Sequence, residues 1–239
     1  MSLPVVILAG GLATRLGPLT ASLPKSLVDI AGQPFAVHQI ELLRRHGLVD
    51  VVFMVSHLGE MIRDTLGDGS RWGVRLSYVF DGPRPLGTGG AIREALPVLG
   101  DRFFVMYGDS YLETDYAAVE RTWLASGKRG VMTVYLNDNR LEPSNVLFEE
   151  GRIVRYDKVR PSSEMRHIDY GLGAFHASAF AVTGRGAGDA FDLAEVYQDL
   201  LADDDLAGVE APHRFYEIGS PSGLEETRAY LASKEITAR

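Results

Sequence analysis

Pro4-Val5-Val6-Ile7-Leu8-Ala9-Gly10-Gly11 is the stretch on which the fold turns. Its short β-branched run, closed by two glycines, reads as a buried strand that feeds a loop. Working outward, Phe35 to Arg45 has helical spacing with Phe35, Ile40 and Leu43 on one side, after Pro34 and before Gly47. Val51 to Val55 is the next strand, Gly59 to Leu66 a helix, and Val74 to Phe80 alternates as a strand. A helix begins over Gly90 to Leu96, and Phe103 to Tyr107 is a third buried strand ending at Gly108-Asp109. Ala117 to Ala125 reads as helix and Val131 to Leu136 as strand. Beyond about residue 141 two strand candidates, Asn145–Glu149 and Arg152–Asp157, flank a Glu150-Gly151 hairpin turn, and Gly171 to Phe180 adds another strand. Phe191 to Leu201 and Pro221 to Ser233 are closing helices, the second with Ser220 as N-cap and Pro221 in its first position. Strand and helix alternate, so the expectation is a three-layer α/β domain with a small inserted β region, one domain over 1–239.

Composition bounds the function. The 239 residues can bury roughly 70–75% of their unfolded surface. With 46% hydrophobic and 23% charged residues, neither a disordered nor a fibrous chain is indicated. Zero Cys excludes disulfides, thiolate zinc sites, iron–sulfur clusters and cysteine nucleophiles. No apolar run approaches the ~18 residues of a membrane span, and Met1-Ser2-Leu3-Pro4 lacks the basic start of a signal peptide, so a cytoplasmic protein without a membrane partner is expected. The net charge of −8, with no Lys/Arg-rich run, argues against nucleic acid as a partner. The six histidines show no H-x-H or H-E-x-x-H spacing, and no G-x-S-x-G elbow occurs.

Chemistry is expected where strands end, since ligands of open α/β sheets bind at carboxyl ends. Leu8 to Leu16 continues through Pro18-Leu19-Thr20 to Pro24-Lys25-Ser26. Glycines after a strand let backbone approach a phosphate, and Arg15 and Lys25 add two cations suited to a polyphosphate. A Gly-rich turn with solvated basic residues is the plainer reading of Gly10-Gly11 alone. The stretch matches neither G-x-G-x-x-G nor the Walker A pattern, which disfavours a hydride-transfer enzyme and an ordinary NTPase. Asp109 directly follows a buried apolar strand, where a carboxylate is costly unless exposed or paired with a cation. Mg²⁺ is such a cation, taking one or two carboxylates with phosphate oxygens and water.

Leu-Ala-Gly-Gly-x-x-Thr-Arg-Leu, then Pro-Leu-Thr and Pro-Lys-Ser, resembles the N-terminal signature of sugar-1-phosphate nucleotidyltransferases. Leu86-Gly87-Thr88-Gly89-Gly90-Ala91, Tyr107-Gly108-Asp109-Ser110, Tyr156-Asp157-Lys158, Tyr170-Gly171 and Phe215-Tyr216-Glu217-Ile218-Gly219 follow in the family's order. The resemblance implies a Rossmann-like mixed sheet with a nucleotide-binding part over about 1–112 and a sugar-phosphate-binding part over about 113–239. It implies a catalytic set of Arg15, Lys25 and Asp109, and nucleotide contacts from Leu8, Ala9, Gly10, Gly11, Thr14, Arg15, Lys25, Leu86, Gly87, Thr88, Gly89 and Gly90. Sugar-phosphate contacts would come from Gly108, Asn145, Asp157, Lys158, Tyr170 and Gly171, and Mg²⁺ would sit on Asp109 and Glu217. The substrates it implies are a nucleoside triphosphate and a sugar 1-phosphate; self-association is left open.

Three departures bear on this. Ala13 stands where the family commonly has Gly, and Glu217 where many members have Asp. With the sequence read to Arg239, neither the β-helical extension of some relatives nor a second activity is expected. Residues 86–90, 108–111 and 167–172 look most similar to bacterial heptose-1-phosphate guanylyltransferases, and no pyrimidine-reading glutamine lies in Phe80 to Gly87. GTP and a manno-heptose 1-phosphate for surface polysaccharide synthesis are therefore expected. The alternatives are uridylyl or thymidylyl transfer to a hexose or N-acetylmuramate 1-phosphate, cytidylyl transfer onto phosphocholine or a phosphonate, and a non-catalytic nucleotide-binding regulatory subunit.

Overall fold

The computed structural model describes residues 2–11, 22–56, 58–82, 84, 86–181 and 188–237. In chain order the elements are β1 (Val5–Leu8), β2 (Asp29–Ile30), β3 (Gln33–Pro34), α1 (Phe35–Arg45), β4 (Asp50–Val55), α2 (Gly59–Leu66) and β5 (Arg75–Phe80). There follow α3 (Gly87–Leu99), β6 (Arg102–Tyr107), β7 (Ser110–Tyr111), α4 (Tyr116–Ser126), β8 (Gly130–Leu136), β9 (Val146–Glu149) and β10 (Arg152–Tyr156). The last are β11 (His167–His176), α5 (Leu193–Ala202), β12 (Leu206–Glu210), β13 (Tyr216–Glu217) and α6 (Pro221–Thr237). They group into two compact units, one of Met1–Asp81, Tyr107–Tyr111 and Phe215–Arg239, the other of Gly82–Met106 and Leu112–Arg214.

In the first unit β1, β4 and β5 run parallel with β4 in the middle, in the register Val5↔Val51 and Val51↔Leu76. Parallel strands are covered on both faces, which is why Val51 to Val55 is apolar throughout; Val5, Val6, Ile7 and Phe53 have no exposed surface. Helix α1 stops at Gly47, whose φ of 75° lets its N–H bond Arg44 O, and Arg44 and Arg45 stand at the negative end of the helix. Val28, Ile30, Phe35 and Leu42 share a core cluster with Ile218, Leu224 and Leu231, so α6 packs in this unit. Gly108 comes so close to β1 that its N–H bonds Leu8 O at 3.0 Å, and a Cβ there would lie 2.6 Å from that oxygen.

The second unit is built on β11, antiparallel to both β6 and β8, with β12 parallel to β8 and the β9–β10 hairpin beside the start of β11. The hairpin turn is Glu150-Gly151 as read, with φ of 47° and 77°. The strand expected at Gly171 to Phe180 instead spans His167–His176 and passes into a 3-10 turn, Ala177–Phe180. There Ala177 N–H bonds Asp101 O, and Phe180 turns in against Phe103 and Phe175, at ring distances of 5.9 and 5.3 Å. A bulge interrupts β11: Asp169 faces Val134 but Gly173 faces Met132, so four steps on one strand match two on the other. Gly171 lies in this bulge at φ 95°, a backbone that L side chains rarely adopt.

Gly108→Ala should destabilise the chain by about 1–3 kcal/mol, because the added methyl meets backbone that cannot give way. Gly11→Ala, with no described residue within 4 Å of its Cβ position, should melt close to the wild type, and paired thermal melts check both.

Candidate active site

Two clusters of the expected residues form, one in each unit. In the first, Asp109 sits in the turn between β6 and β7, and Lys25 opens the 3-10 turn Lys25–Leu27 after Pro24. Lys25 Nζ donates to Asp109 Oδ2 at 3.0 Å, and Ser110 Oγ to Asp109 Oδ1 at 3.3 Å. The carboxylate that ends an apolar strand thus has its cation, half-shielded from water, where the pair is worth more than on the surface.

Glu217 lies in β13, which pairs with β7 through Glu217↔Ser110. Its carboxylate accepts from the backbone N–H groups of Gly219 and Ser220 and from Ser220 Oγ, so it lies over the start of α6. Ser220 is the N-cap, its Oγ accepting from Gly223 N–H at 3.0 Å. Gly219 is where the three groups converge. A Cβ there would stand 2.6 Å from Glu217 Oε2, 3.2 Å from Asp109 Oδ2 and 3.5 Å from Lys25 Nζ. The two carboxylates at that cradle fit a hard cation that completes its shell with phosphate oxygens and water, while the ammonium is suited to the phosphate and not to the metal. Among the described residues no group of three or more His, Asp or Glu gathers for a metal.

Gly10 and Gly11 follow β1 as expected. Ala9 N–H bonds Met54 O, Ser56 Oγ donates to Gly10 O, and a Cβ on Gly10 would lie 3.5 Å from Asp81 Oδ2. Asp81 was missed in the sequence, although it directly follows β5 much as Asp109 follows β6 two residues on, and that strand-end position is the signal that finds it. Burial alone pushes its carboxyl above the usual range, and no described residue gives that carboxylate a hydrogen bond or ion pair. Thr14 and Arg15 lie outside the described residues.

In the second unit Leu86 to Gly90 opens α3, and its glycines meet protein. A Cβ on Gly87 would lie 2.4 Å from Phe191 O, and one on Gly89 2.4 Å from the Phe191 ring. The N–H groups of Gly89 and Gly90 both donate to Phe191 O, and Leu193 N–H donates to Thr88 Oγ1 at 2.8 Å. The segment before α5, with its Asp192/Glu195 capping box, is thereby fastened to the start of α3.

Asn145 and Lys158 are brought together by Asp169, a second residue the sequence did not single out. Asn145 Oδ1 accepts from Asp169 N–H at 2.9 Å, Lys158 Nζ stands 3.4 Å from Asp169 Oδ2, and Gly171 N–H bonds Asp169 Oδ1. The Asp169 side chain is only 4% exposed, so the ammonium and these bonds offset the burial of its charge. Upstream, the fully buried Asn137 donates to Glu142 O and Ser144 Oγ and accepts from Leu141 N–H, fixing the loop that ends at Asn145. Asp157 accepts from the N–H groups of Arg160 and Val159, which hold its carboxyl below the usual range. Tyr170 is buried, its hydroxyl donating to Glu113 O.

The chain belongs to the nucleotidyl transferase family, whose model matches residues 4–145. It is 29% identical over 227 residues to the N-acetylmuramate alpha-1-phosphate uridylyltransferase of Neisseria meningitidis serogroup B, covering 94% of this chain and 96% of that one. It is 33% identical over 176 residues to mannose-1-phosphate guanyltransferase beta-B of Xenopus laevis, covering 71% of this chain and 49% of that one. The structure of HddC from Yersinia pseudotuberculosis complexed with GMP-PN superposes with a TM-score of 0.79 at 24% identity, covering 96% of this chain and 100% of that one. The inositol-1-phosphate CTP transferase from T. maritima gives 0.76 at 20% identity, covering 95% and 94%. These two likenesses bear out the α/β mixed-sheet fold, and the relatives make the chain a sugar-1-phosphate nucleotidyltransferase. No helix among the described residues is long and apolar enough to cross a membrane.

Asp81 carries a pH signature. Its folded pKa lies above the ordinary 3.8, so its charge penalises the folded state above that pH, and the penalty vanishes once the acid is protonated in both states. Asp81→Asn should therefore melt higher than the wild type at pH 7, and the gap should close as the pH falls towards 3.8, as melts across that range would show.

Proposed function

We propose that the chain transfers a guanylyl group from GTP to a sugar 1-phosphate, with a manno-heptose 1-phosphate as the acceptor, and releases pyrophosphate. The observation that carries the nucleobase is Asp81, a desolvated carboxylate beside Gly10 at the strand ends. Guanine offers two adjacent N–H donors on its Watson–Crick edge, and an ionised carboxylate is an acceptor with two oxygens. Uracil and thymine offer one N–H between two carbonyls, which a carboxylate opposes. The acceptor rests on the likeness of residues 86–90, 108–111 and 167–172 to heptose-1-phosphate guanylyltransferases. Uridylyl transfer to N-acetylmuramate 1-phosphate is the second reading, favoured by the relative that matches 94% of the chain.

In the reaction an oxygen of the sugar 1-phosphate forms a bond to the α-phosphorus as the bond to pyrophosphate breaks. The attacking oxygen is already anionic near neutral pH, so the work is positioning and charge neutralisation. Lys25 and Arg15 hold the triphosphate, with Gly10 and Gly11 offering backbone close to it, and Lys158 holds the sugar phosphate. Asp169 fixes the Lys158 stem. Asp109, with Glu217, is the place for Mg²⁺, which when bound offsets charge on the phosphate oxygens.

Pyrophosphate release with GTP, UTP, dTTP, CTP and ATP, each crossed with a panel of sugar 1-phosphates that includes manno-heptose, tests the assignment. GTP with the heptose should be the best pair; preference for UTP with N-acetylmuramate 1-phosphate would replace it. Lys25→Ala and Asp109→Asn should each lower turnover by roughly 10²-fold or more with an unchanged melt, and near-normal activity in either would sink the assigned roles. Asp81→Asn should shift the GTP-to-UTP ratio of kcat/KM by about 10-fold or more towards UTP.

A further inference from the structure

Gln39, in the middle of α1, has no exposed surface, yet both of its amide hydrogens are used at a distance in sequence. Nε2 donates to Tyr107 O at 3.2 Å and to Ser110 O at 2.8 Å. Both neighbours are carbonyl oxygens, which only accept, so the amide orientation is set by chemistry. Its own Oε1 is buried without a hydrogen-bond partner among the described residues, a cost that a Leu or Met at this position would not carry.

The two carbonyls bracket Gly108-Asp109. Two further backbone groups of that turn are tied as well: Gly108 N–H donates to Leu8 O and Ile218 N–H to Asp109 O at 2.9 Å. The turn is thus held from β1, from the segment after β13, and twice from α1, while the Asp109 carboxylate points to Lys25 at 3.0 Å. Of these anchors, Gln39 is the one made by a side chain, and so the one that evolution or an experimenter can remove without touching the backbone.

We propose that Gln39 is a positioning residue: its amide fixes the Tyr107–Ser110 turn so that the Asp109 carboxylate stands where Lys25 and a divalent cation need it. This rests on the role given to Asp109 above. Gln39 acts through the turn and touches no substrate.

The test is Gln39→Met, which keeps the length and apolar bulk while removing both donors and the unpaired oxygen. Its melt should stay close to the wild type. Its kcat for pyrophosphate release should fall about 10–100-fold with a smaller change in KM, and its affinity for Mn²⁺, titrated by electron paramagnetic resonance, should fall in the same range. Amide exchange at 108–110 in the ligand-free chain should accelerate. On an Asp109→Asn background the same substitution should lower kcat by less than about 2-fold, since the group it positions is gone. Wild-type kcat and Mn²⁺ affinity in Gln39→Met would overturn the proposal, as would a loss that persists undiminished beside Asp109→Asn. Full turnover by Asp109→Asn alone would overturn the reading of that carboxylate instead, and the exchange measurement would still decide whether Gln39 holds the turn. Should Gln39→Met fail to fold, Gln39→Asn keeps the amide on a stem too short to span both carbonyls and is held to the same outcomes.

Discussion

A carboxylate at the end of a buried strand must be neutralised, and much of the first unit is arranged around that need at Asp109. Its partner Lys25 is delivered by a short 3-10 turn that Pro24 starts, at a fixed 3.0 Å. The turn itself can exist only because Gly108 has no side chain to strike Leu8 O. The antiparallel step between β7 and β13 sets Glu217 opposite Ser110, and the start of α6 gathers that second carboxylate through backbone N–H groups. Remove the charge at Asp109 and Lys25 stands half-buried without this counter-charge, while two carboxylates become one.

Glycine has two different uses in this chain, and the sequence does not distinguish them. A run such as Gly87-Thr88-Gly89-Gly90 suggests backbone bared for a phosphate. The structure shows Phe191 filling the space that side chains at Gly87 and Gly89 would need, Asp189 O closing that at Gly90, and Phe191 O accepting the N–H bonds of Gly89 and Gly90. Gly108 likewise admits the β1 backbone. Gly11, by contrast, faces no described residue within 4 Å, which is the condition a ligand-approaching glycine must meet. The criterion that separates the two uses is what a Cβ would strike, and that is set by segments remote in sequence.

The long elements were legible because period and length agree: α1 runs Phe35–Arg45 as the spacing implied, and the strand-end Asp109 could be found by asking where a carboxylate is too costly to leave alone. What escaped has physical reasons. The β2–β3 hairpin turns on Ala31-Gly32, both at positive φ, and Ala is not a residue that announces such a turn. β7 and β13 are two residues long and carry no periodicity, yet they set the position of Glu217. β12 contains Gly208, needed because a Cβ would lie 2.6 Å from the Phe148 ring, and a glycine mid-run lowers any strand signal. Asp169 was hidden inside an apolar strand, where only the bulge and its bond to Lys158 show its use.

Under the proposed roles an acidic chain must hold two anions, and the surroundings of the two lysines bear on how it could. Lys25 rests against Asp109, and Lys158 rests against the nearly buried Asp169. At first sight each carboxylate competes with the phosphate for its ammonium. An ammonium has three donors, however, and one spent on a carboxylate leaves two for phosphate oxygens. A free lysine stem carries about 2 kcal/mol of rotamer entropy that must be lost on binding. Holding the stem beforehand moves that loss from the binding step to folding. The carboxylate thus weakens the local positive charge but removes the disorder of its carrier, and for a reaction governed by the placement of two phosphates the second effect matters more.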